Sequence, residues 1–317
     1  MASKFIRAER NTEDSLNYSD PNRWNNAAAD YNAAVGESSK LAATRLITLT
    51  NDLHPISAAS DPRALDLGAG TGSLTHLLSD AFPSLPILAT DISPGMLEKL
   101  MATGALANKK NVTTQVADMS SPVGGEVTEG SFSHVFSTMA IQVLPNPADE
   151  GTLGKWASLL QPDGVVAIAV WDFNEVCGPH SIWTEAAKAV DPFYESPPPL
   201  PPRHWYGHTQ VEEELKKVGF RDVMSEVLDI GFNVGKEGFM RFFWESENPM
   251  PIERLASFKG DLSKVKLEMD RLLDEKYDSG KKIPLFAALA VGKRPAQTLD
   301  FWGDENLYEE LYKFVHI

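Results

Sequence analysis

The residues with the clearest chemical potential lie where one short apolar run ends. The stretch ALDLGAGTGSL, from Ala64 to Leu74, breaks into three glycines, Gly68, Gly70 and Gly72. A strand that ends in such a turn and then opens a helix directs backbone N–H groups, and the positive end of the helix dipole, at whatever lies above the sheet edge. Glycine permits both the turn and the close approach of a ligand. The stretch predicts a nucleoside site, although a tight turn without a ligand is the alternative for a lone glycine triplet.

A carboxylate at the end of the next apolar run strengthens the nucleoside hypothesis. The run PILATDIS ends in Asp91, directly before a second helix signal at Ser93-Pro94. A carboxylate at the end of the second strand can accept both hydroxyl groups of a ribose. Nicotinamide enzymes, flavin enzymes and users of S-adenosylmethionine share this arrangement, so it leaves the identity of the nucleoside open.

Three features favour S-adenosylmethionine among these nucleosides. The glycine spacing is GxGxG and not the GxGxxG of dinucleotide sites. Asp66 precedes the loop, where its charge would repel a diphosphate and suit a cationic amino acid group. The stretch VADMSS places Asp118 and Met119 after the third strand, where a carboxylate can accept the adenine amino group and a thioether can pack on the ring.

The sequence resembles the class I S-adenosylmethionine-dependent methyltransferases, in particular the type that acts on small molecules of secondary metabolism. The motifs that carry the resemblance are ALDLGAGTGSL, ATDIS, VADMSS, FSTMAIQVLPNP and LLQPDGVVAIAVWD, which follow in order over roughly residues 20 to 172. The resemblance implies an α/β fold with a doubly wound, Rossmann-like sheet of seven strands, the last antiparallel, and helical, aromatic cap insertions. It also implies S-adenosyl-L-methionine as cofactor and a transferase activity.

The resemblance assigns roles to individual positions. The glycine loop would meet the methionine part of the cofactor, with Asp66 behind it. Asp91 would take the ribose, and Tyr31 would close over the cofactor from an N-terminal helix. The cofactor-binding residues expected in this way are Tyr31, Asp66, Gly68, Ala69, Gly70, Asp91, Ile92, Asp118, Met119 and Ser137. Asp66 could instead be a strand-end residue, Asp118 a turn cap and Tyr31 part of a helix core.

An aromatic acceptor pocket is expected from the residues after the fourth and fifth strands and from the inserted segments. The substrate-binding candidates are Met139, Gln142, Trp171, Trp183, Phe239 and Phe243. Aromatic faces bind flat substrates and tolerate a cationic sulfonium, but the same residues could form a satellite core. The stretch STMAIQ lacks the Asn-Pro-Pro-Tyr signature of enzymes that methylate DNA bases, so we expect transfer to an O, C or N atom of a small, aromatic or polyketide-like metabolite.

A general base would help if the acceptor is a phenol or an enol. His180, His204 and Asp172 are the catalytic candidates, and each could equally be a surface or capping residue. No metal site is expected.

Composition limits the partners. Lys and Arg total 29 against 44 Asp and Glu, which gives a net charge of −15 at pH 7. Such a field repels nucleic acid and anionic membranes, so the expected partner is a small molecule. The chain shows neither an apolar signal core nor a membrane-length apolar run, which favours a cytoplasmic location. The single cysteine, Cys177, is expected to be a buried or loop residue.

The chain divides into a flexible segment (1–19), a methyltransferase domain (20–295) and a C-terminal helical tail (296–317). The cofactor half of the domain is expected at 20–172, with cap insertions at about 173–210 and 232–280. We expect one helix from Asp20 to Gly36 and a second from about Glu37 to Leu53. Alternating strands and helices follow from Arg63, and a capping box at Thr209–Glu212 opens a later helix.

Two further hypotheses stay open at this point. The fold could bind S-adenosylmethionine and use its charge to steer a pericyclic reaction without methyl transfer, because fold does not dictate function. The chain could instead be a regulatory protein with a vestigial nucleoside site, although its glycine loop and ribose carboxylate are intact. The aromatic tail residues leave a homodimer possible.

Overall fold

A seven-stranded sheet with helices on both faces organises this computed structural model. The structure describes residues 20–102, 106, 109–144, 151–198, 205–277 and 281–294. The predicted flexible segment 1–19, the tail 296–317 and His204 lie outside the described residues.

The elements alternate as the sequence predicts and then become mostly helical. The strands are β1 (Ala64–Leu67), β2 (Ile87–Asp91), β3 (Val112–Val116), β4 (Phe132–Thr138), β5 (Leu160–Trp171), β6 (Arg221–Asp229) and β7 (Phe286–Lys293). The helices are α1 (Pro21–Leu53), α2 (Ser73–Ala81), α3 (Pro94–Ala102), α4 (Thr152–Leu159), α5 (Gly178–Val190), α6 (His208–Lys217), α7 (Gly235–Glu245), α8 (Pro249–Ser257) and α9 (Leu262–Tyr277).

The strand order confirms the predicted fold class. The order is β3-β2-β1-β4-β5-β7-β6, with β7 antiparallel to both of its neighbours and the remaining pairs parallel. All four residues of β1 are buried, and so is nearly the whole apolar part of β5. Helices cover both faces of these strands, which is why the strands read as continuous apolar runs without polar alternation.

The topology places a crevice at the carboxyl end of β1. The chain runs outward from β1 to β2 and β3, then returns to the other side of β1 as β4. Ligands of open α/β sheets bind at such a switch point, outside the carboxyl ends of the strands. The register aligns Leu67 with Thr90 and Asp91 with Val116, so the loops after the first three strands meet at one edge.

The N-terminal region corrects one prediction, because a single helix replaces the two expected. Asp20 caps it by accepting a hydrogen bond from the Asn22 N–H at 3.0 Å, as predicted, but the helix passes through Gly36 to Leu53. Glycine inside a helix costs about 1 kcal/mol. Buried apolar residues on both sides of it, Val35 and Leu46 among them, outweigh that cost.

A second correction concerns the expected capping box. Helix α6 begins at His208 with Gly207 as N-cap, and no side chain caps it. Thr209 therefore lies inside the first turn, where its hydroxyl donates to the Gln210 side chain at 3.1 Å. The helix predicted to start at Ser93-Pro94 is α3, which ends at Ala102.

An aromatic cluster packs the helical part against the sheet. Trp183 of α5 stacks on Phe243 of α7 with ring centroids 5.2 Å apart, and Phe239 stacks on Phe243 at 6.0 Å. The Trp183 Nε1–H donates to the Tyr194 hydroxyl at 3.0 Å, so this buried polar group is satisfied. Within the described part of the chain, no helix is both long and apolar enough to cross a bilayer.

The packing of Trp183 predicts a large stability cost for its removal. We expect Trp183→Ala to lower the free energy of unfolding by about 3–5 kcal/mol, because it leaves a cavity and removes the hydrogen bond to the Tyr194 hydroxyl. Urea unfolding measures this change. The matched control is Phe193→Ala, since Phe193 is 92% exposed and its loss should change stability by about 0.5 kcal/mol at most. Equal effects of the two substitutions would contradict a core role for Trp183.

Candidate functional site

A cavity lies over the carboxyl ends of β1, β2 and β4. Its empty volume is about 920 Å³, which includes the open space at its mouth. Its walls come from the glycine loop, the loops after β2, β3 and β4, and the inner face of α1. The lining residues are Trp24, Tyr31, Ser39, Asp66, Gly68, Ala69, Gly70, Thr71, Ser73, Leu74, Asp91, Ile92, Met96, Ala117, Asp118, Met119, Thr138, Met139, Ala140, Val143 and Leu144.

The glycine loop forms the floor of this cavity. Gly68 and Gly70 have φ values of +70° and +55°, which L-side chains rarely adopt. A Cβ on Gly68 would come within 2.4 Å of the Ala140 Cβ, whereas a Cβ on Gly70 would meet no atom within 4 Å. Gly68 therefore lets two loops of the protein approach, and Gly70 leaves an open cradle on the cavity side.

Asp91 ties the glycine loop to the end of β2. Its Oδ2 accepts from the Gly70 N–H at 2.9 Å, and its Oδ1 accepts from the Ser93 N–H at 2.9 Å. Burial raises the pKa of this carboxyl group. A carboxylate has about four acceptor sites, so each oxygen keeps capacity for a ligand hydroxyl.

Asp66 lies beneath the loop and is 1% exposed. Its Oδ2 accepts from the Thr75 hydroxyl at 2.6 Å, and its Oδ1 is buried without a partner. Burial, together with the nearby charge of Asp91, raises the pKa of Asp66 to about 7. A buried acceptor that lacks a partner favours a ligand carrying a donor or a positive charge.

The loop after β3 is fixed from behind by α4. The Asp118 Oδ1 accepts from the Ser120 N–H at 2.8 Å, so this oxygen caps a turn, which was the alternative considered for Asp118. Asp118 also lines the cavity. The buried Trp156 donates through Nε1 to the Met119 carbonyl at 2.8 Å, and Lys155 donates to the Ser120 carbonyl at 2.8 Å. These contacts hold Met119 against the glycine loop.

Helix α1 closes the cavity from above. Tyr31 packs edge-on against Trp24 with ring centroids 6.2 Å apart and bonds the Ser39 side chain. Burial raises the pKa of Tyr31 to about 12. Asn25 attaches the helix to the β2–α3 loop, since its Oδ1 accepts from the Ser93 hydroxyl at 2.6 Å and the Gly95 N–H at 2.8 Å. Tyr31 is thus both a packing residue and part of the cavity wall.

The end of β4 bears on the expectation that the backbone around Ser137 and Thr138 meets the methionine part of the cofactor. Ser137 is fully buried within β4 and does not line the cavity, whereas the adjacent Thr138 does. Strand alternation explains the difference, because successive residues point to opposite faces. The next residue, Met139, has φ +57°, an uncommon conformation for a non-glycine residue, and also lines the cavity.

The charge of the cavity decides what it can hold. Its described lining contains three aspartates, Asp66, Asp91 and Asp118, and no Lys, Arg or His. Two of these carboxyl groups are buried together, so a diphosphate would be repelled and a cation attracted. The open cradle at Gly70, the unpartnered Asp66 Oδ1 and the ribose-type carboxylate all fit S-adenosylmethionine, which carries an ammonium and a sulfonium.

The structure contradicts most of the predicted acceptor pocket. Trp183, Phe239 and Phe243 are buried in the aromatic cluster and do not line the cavity. Gln142 and Trp171 are buried too, because the Gln142 Oε1 accepts from the Trp171 N–H at 2.6 Å and so joins the β4 loop to β5. Of the six candidates, Met139 lines the cavity.

Neither described base candidate reaches the cavity. Asp172 is 1% exposed, and its Oδ1 accepts from the N–H groups of Asn174 at 2.9 Å and Glu175 at 3.2 Å, so it caps a turn. His180 lies on α5, where burial and the charge of Arg254 lower its pKa to about 4. The prediction of Asp172 or His180 as the base is therefore wrong, because neither residue lines the cavity.

Comparison with known proteins agrees with this geometry. Residues 64–164 match the family model described as a methyltransferase domain. This stretch of the chain is therefore similar to the methyltransferase domains of that family. The match begins at β1 and ends within β5, so this methyltransferase domain contains the glycine loop, Asp91, Asp118 and the β4 loop. The predicted methyltransferase domain is thereby confirmed for residues 64–164.

Curated proteins similar to this chain have different names. A malonyl-acyl-carrier-protein O-methyltransferase of Hahella chejuensis is 35% identical over 140 residues, 44% of each chain. A trans-aconitate 2-methyltransferase of Methylobacterium nodulans is 31% identical over 144 residues, 45% of this chain and 51% of the relative. The chain spans about half the length of the curated relatives it matches.

Among solved structures, one match is phosphoethanolamine N-methyltransferase 2 of Haemonchus contortus in complex with S-adenosyl-L-methionine. It is 18% identical, with a TM-score of 0.48, and the match covers 80% of this chain and 52% of that one.

Several residues of the methyltransferase site escaped sequence reasoning. Trp24, Ser39, Val143 and Leu144 line the cavity, and Trp156 fixes its rim from outside. Trp24 and Ser39 lie on an amphipathic helix, and Trp156 faces the core of another, so their types and spacing signal packing alone. The apolar pair Val143–Leu144 follows the fourth strand directly, which was a usable signal.

The raised pKa of Asp66 predicts that cofactor affinity rises with pH. The neutral carboxyl group does not attract a cation, and the ionised fraction increases as the pH passes through about 7. We expect the dissociation constant for S-adenosylmethionine to fall roughly tenfold between about pH 5.5 and 7.5. Calorimetry at fixed ionic strength measures it.

In Asp66→Asn this pH dependence should disappear, with affinity low throughout. The control Asp61→Asn changes an exposed aspartate and should retain the parent slope. A parent affinity that does not vary with pH would contradict the assignment of Asp66 to the cationic group.

Proposed function

We propose that this chain transfers a methyl group from S-adenosylmethionine to a carboxylate oxygen of a small acid. The observation that carries the proposal is the composition of the cavity wall. Apart from the aspartates, its one titratable group among the described lining residues is the Tyr31 phenol, whose pKa is raised to about 12 by burial. With the three aspartates assigned to the cofactor, such a wall offers no base for a phenol, an enol or an ammonium group.

The cofactor would be held by the residues that the cavity brings together. The two oxygens of Asp91 would accept the ribose hydroxyls, Asp66 and the glycine loop would take the ammonium end, and Asp118 and Met119 would meet the adenine. When bound, S-adenosylmethionine supplies an activated methyl group, so a carboxylate oxygen can form the C–O bond as the C–S bond breaks, giving a methyl ester and S-adenosylhomocysteine with no proton to remove.

The protein's own task is then to position the acceptor and exclude water. Helix α1 covers the cavity with Trp24 and Tyr31, and the strained Met139 fixes the wall beside the glycine loop. Alignment of the reacting atoms can lower the barrier by about 7–11 kcal/mol. A carboxylate is ionised at neutral pH, so alignment suffices for it, and no general base is needed.

The names of two relatives support an acid as acceptor, since one is a malonyl O-methyltransferase and another a trans-aconitate methyltransferase. The aromatic or polyketide-like acceptor expected from the sequence has lost its main support, because the aromatic residues that suggested it pack in the core. A small-molecule partner is retained in the proposal, and so is a cytoplasmic location.

Methyl transfer to acids predicts a specific pair of products. Incubation with S-adenosylmethionine and a panel of small carboxylic acids should yield S-adenosylhomocysteine and a methyl ester in equal amounts, measured by mass spectrometry. Matched primary amides and phenols should remain unmethylated. Asp91→Asn is the control and should weaken cofactor binding by roughly tenfold or more, because a charged hydrogen-bond acceptor is lost. Conversion of a substrate without S-adenosylhomocysteine would favour the pericyclic alternative instead.

The absence of a base from the described cavity wall predicts a flat pH profile for turnover. At saturating cofactor and acid, kcat should vary less than about threefold between pH 7 and 9, because no group that must lose a proton titrates there. A base-assisted reaction would show a sigmoidal rise in this range. Saturating cofactor removes the effect of pH on cofactor binding. If kcat still rises with pH under that condition, a carboxylate acceptor is contradicted.

A further inference from the structure

A second group of buried polar atoms without partners lies outside the cofactor cavity, between α5 and α8. Arg254 of α8 is 1% exposed. Its Nη1 and Nη2 each donate to a backbone carbonyl, of Pro197 and Pro198, at 2.8 Å. Its Nε has no hydrogen-bond partner. A guanidinium group has five N–H donors. Two of them are used in these bonds, so the buried Arg254 keeps N–H donors for a ligand.

This guanidinium lacks a counter-charge. Among the residues that the structure describes, no ion pair joins Arg254 to a carboxylate. Its charge acts on Cys177 and on His180, at the amino end of α5. The amino end of a helix is itself positive. Two positive features thus meet in a buried place, which is costly unless an anion joins them.

Further buried atoms without partners lie on α5 and next to Pro197, and each can donate. His180 Nδ1 and Thr184 Oγ1 are buried without partners one helical turn apart on α5. Ser196 Oγ is also without a partner and directly precedes Pro197, which Arg254 holds. Because burial and Arg254 keep the pKa of His180 near 4, the ring is neutral at neutral pH and can present one N–H.

The first two residues of α5 offer an anion no free backbone N–H group. The Gly178 N–H donates to the Pro284 carbonyl at 2.7 Å, and Pro179 has no N–H. The positions of α5 and α8 are locked by a chain of hydrogen bonds from Trp183 Nε1 to the Tyr194 hydroxyl, from there to Ser257 Oγ at 2.6 Å, and on to the Arg254 carbonyl at 2.8 Å. The side-chain donors are therefore held in place in advance.

We propose that Arg254, His180 and Thr184 form a subsite that binds a carboxylate of the methyl acceptor. The proposal rests on the proposed function and adds a recognition group apart from the atom that is methylated. Helix α5 follows the carboxyl end of β5, which neighbours β4, the strand whose end lines the cofactor cavity. The fork of Arg254 matches the planar geometry of a carboxylate.

Calorimetry on the full chain without cofactor tests this subsite. The probes are trans-aconitate, which carries three carboxylates, and its uncharged trimethyl ester, each titrated to tens of millimolar. We expect saturable binding of the acid and none of the ester. Arg254→Gln should weaken acid binding about 10- to 100-fold and Thr184→Val several-fold, because charged and neutral hydrogen bonds are lost. The matched control Arg271→Gln removes an exposed arginine of α9 and should not change it.

Equal binding of acid and ester, or parent affinity in both Arg254→Gln and Thr184→Val, would overturn the subsite. Arg254→Gln could fail to fold, because Arg254 itself holds the carbonyl groups of Pro197 and Pro198. In that case two measurements decide the question: acid binding by Thr184→Val, and the NMR shift of the His180 ring nitrogens when the acid is added. Binding of S-adenosylmethionine is measured separately. Its failure would remove the proposed function while acid binding still reports on Arg254.

Discussion

The burial of two carboxyl groups at one sheet edge is the constraint on which the site depends. Asp66 and Asp91 lie at or near the ends of neighbouring strands, both are desolvated, and no described residue of the cavity wall carries a positive charge. The protein offsets this cost in part through local donors, namely Thr75, Ser93 and Gly70. What remains is a field that favours a cationic nucleoside, and the glycine loop provides the room for it.

The sheet was predictable because its signals are local. A buried parallel strand reads as an apolar run, and the glycines and Asp91 that follow β1 and β2 are placed by strand ends alone. The same logic explains why nine of the ten expected cofactor residues line one cavity. Ser137 is the residue that does not line the cavity, whereas its neighbour Thr138 does. Which of two successive residues faces the cavity depends on the exact register of β4, and an apolar run does not reveal that register.

The acceptor side was not predictable for a different reason. Aromatic residues in inserted helices serve equally as core and as pocket, and the sequence does not distinguish the two. Trp183, Phe239 and Phe243 became core because α5 and α7 both pack on α9 and their rings join one buried cluster. Gly36 illustrates the same limit, since long-range burial along α1 outweighs a local stop signal.

The cofactor cavity and the proposed subsite at Arg254 complement each other electrostatically. The cofactor cavity is lined by carboxyl groups, so a second anion entering it would be repelled unless a positive group held it elsewhere. Arg254 is a buried cation beyond that cavity, fixed by the carbonyl groups of Pro197 and Pro198 and not by an acid. An acidic acceptor would therefore find its attraction at α5 and α8 and its electrophile at the β1 loop. A protein with a net charge of −15 needs such a local cation to bind an anion at all.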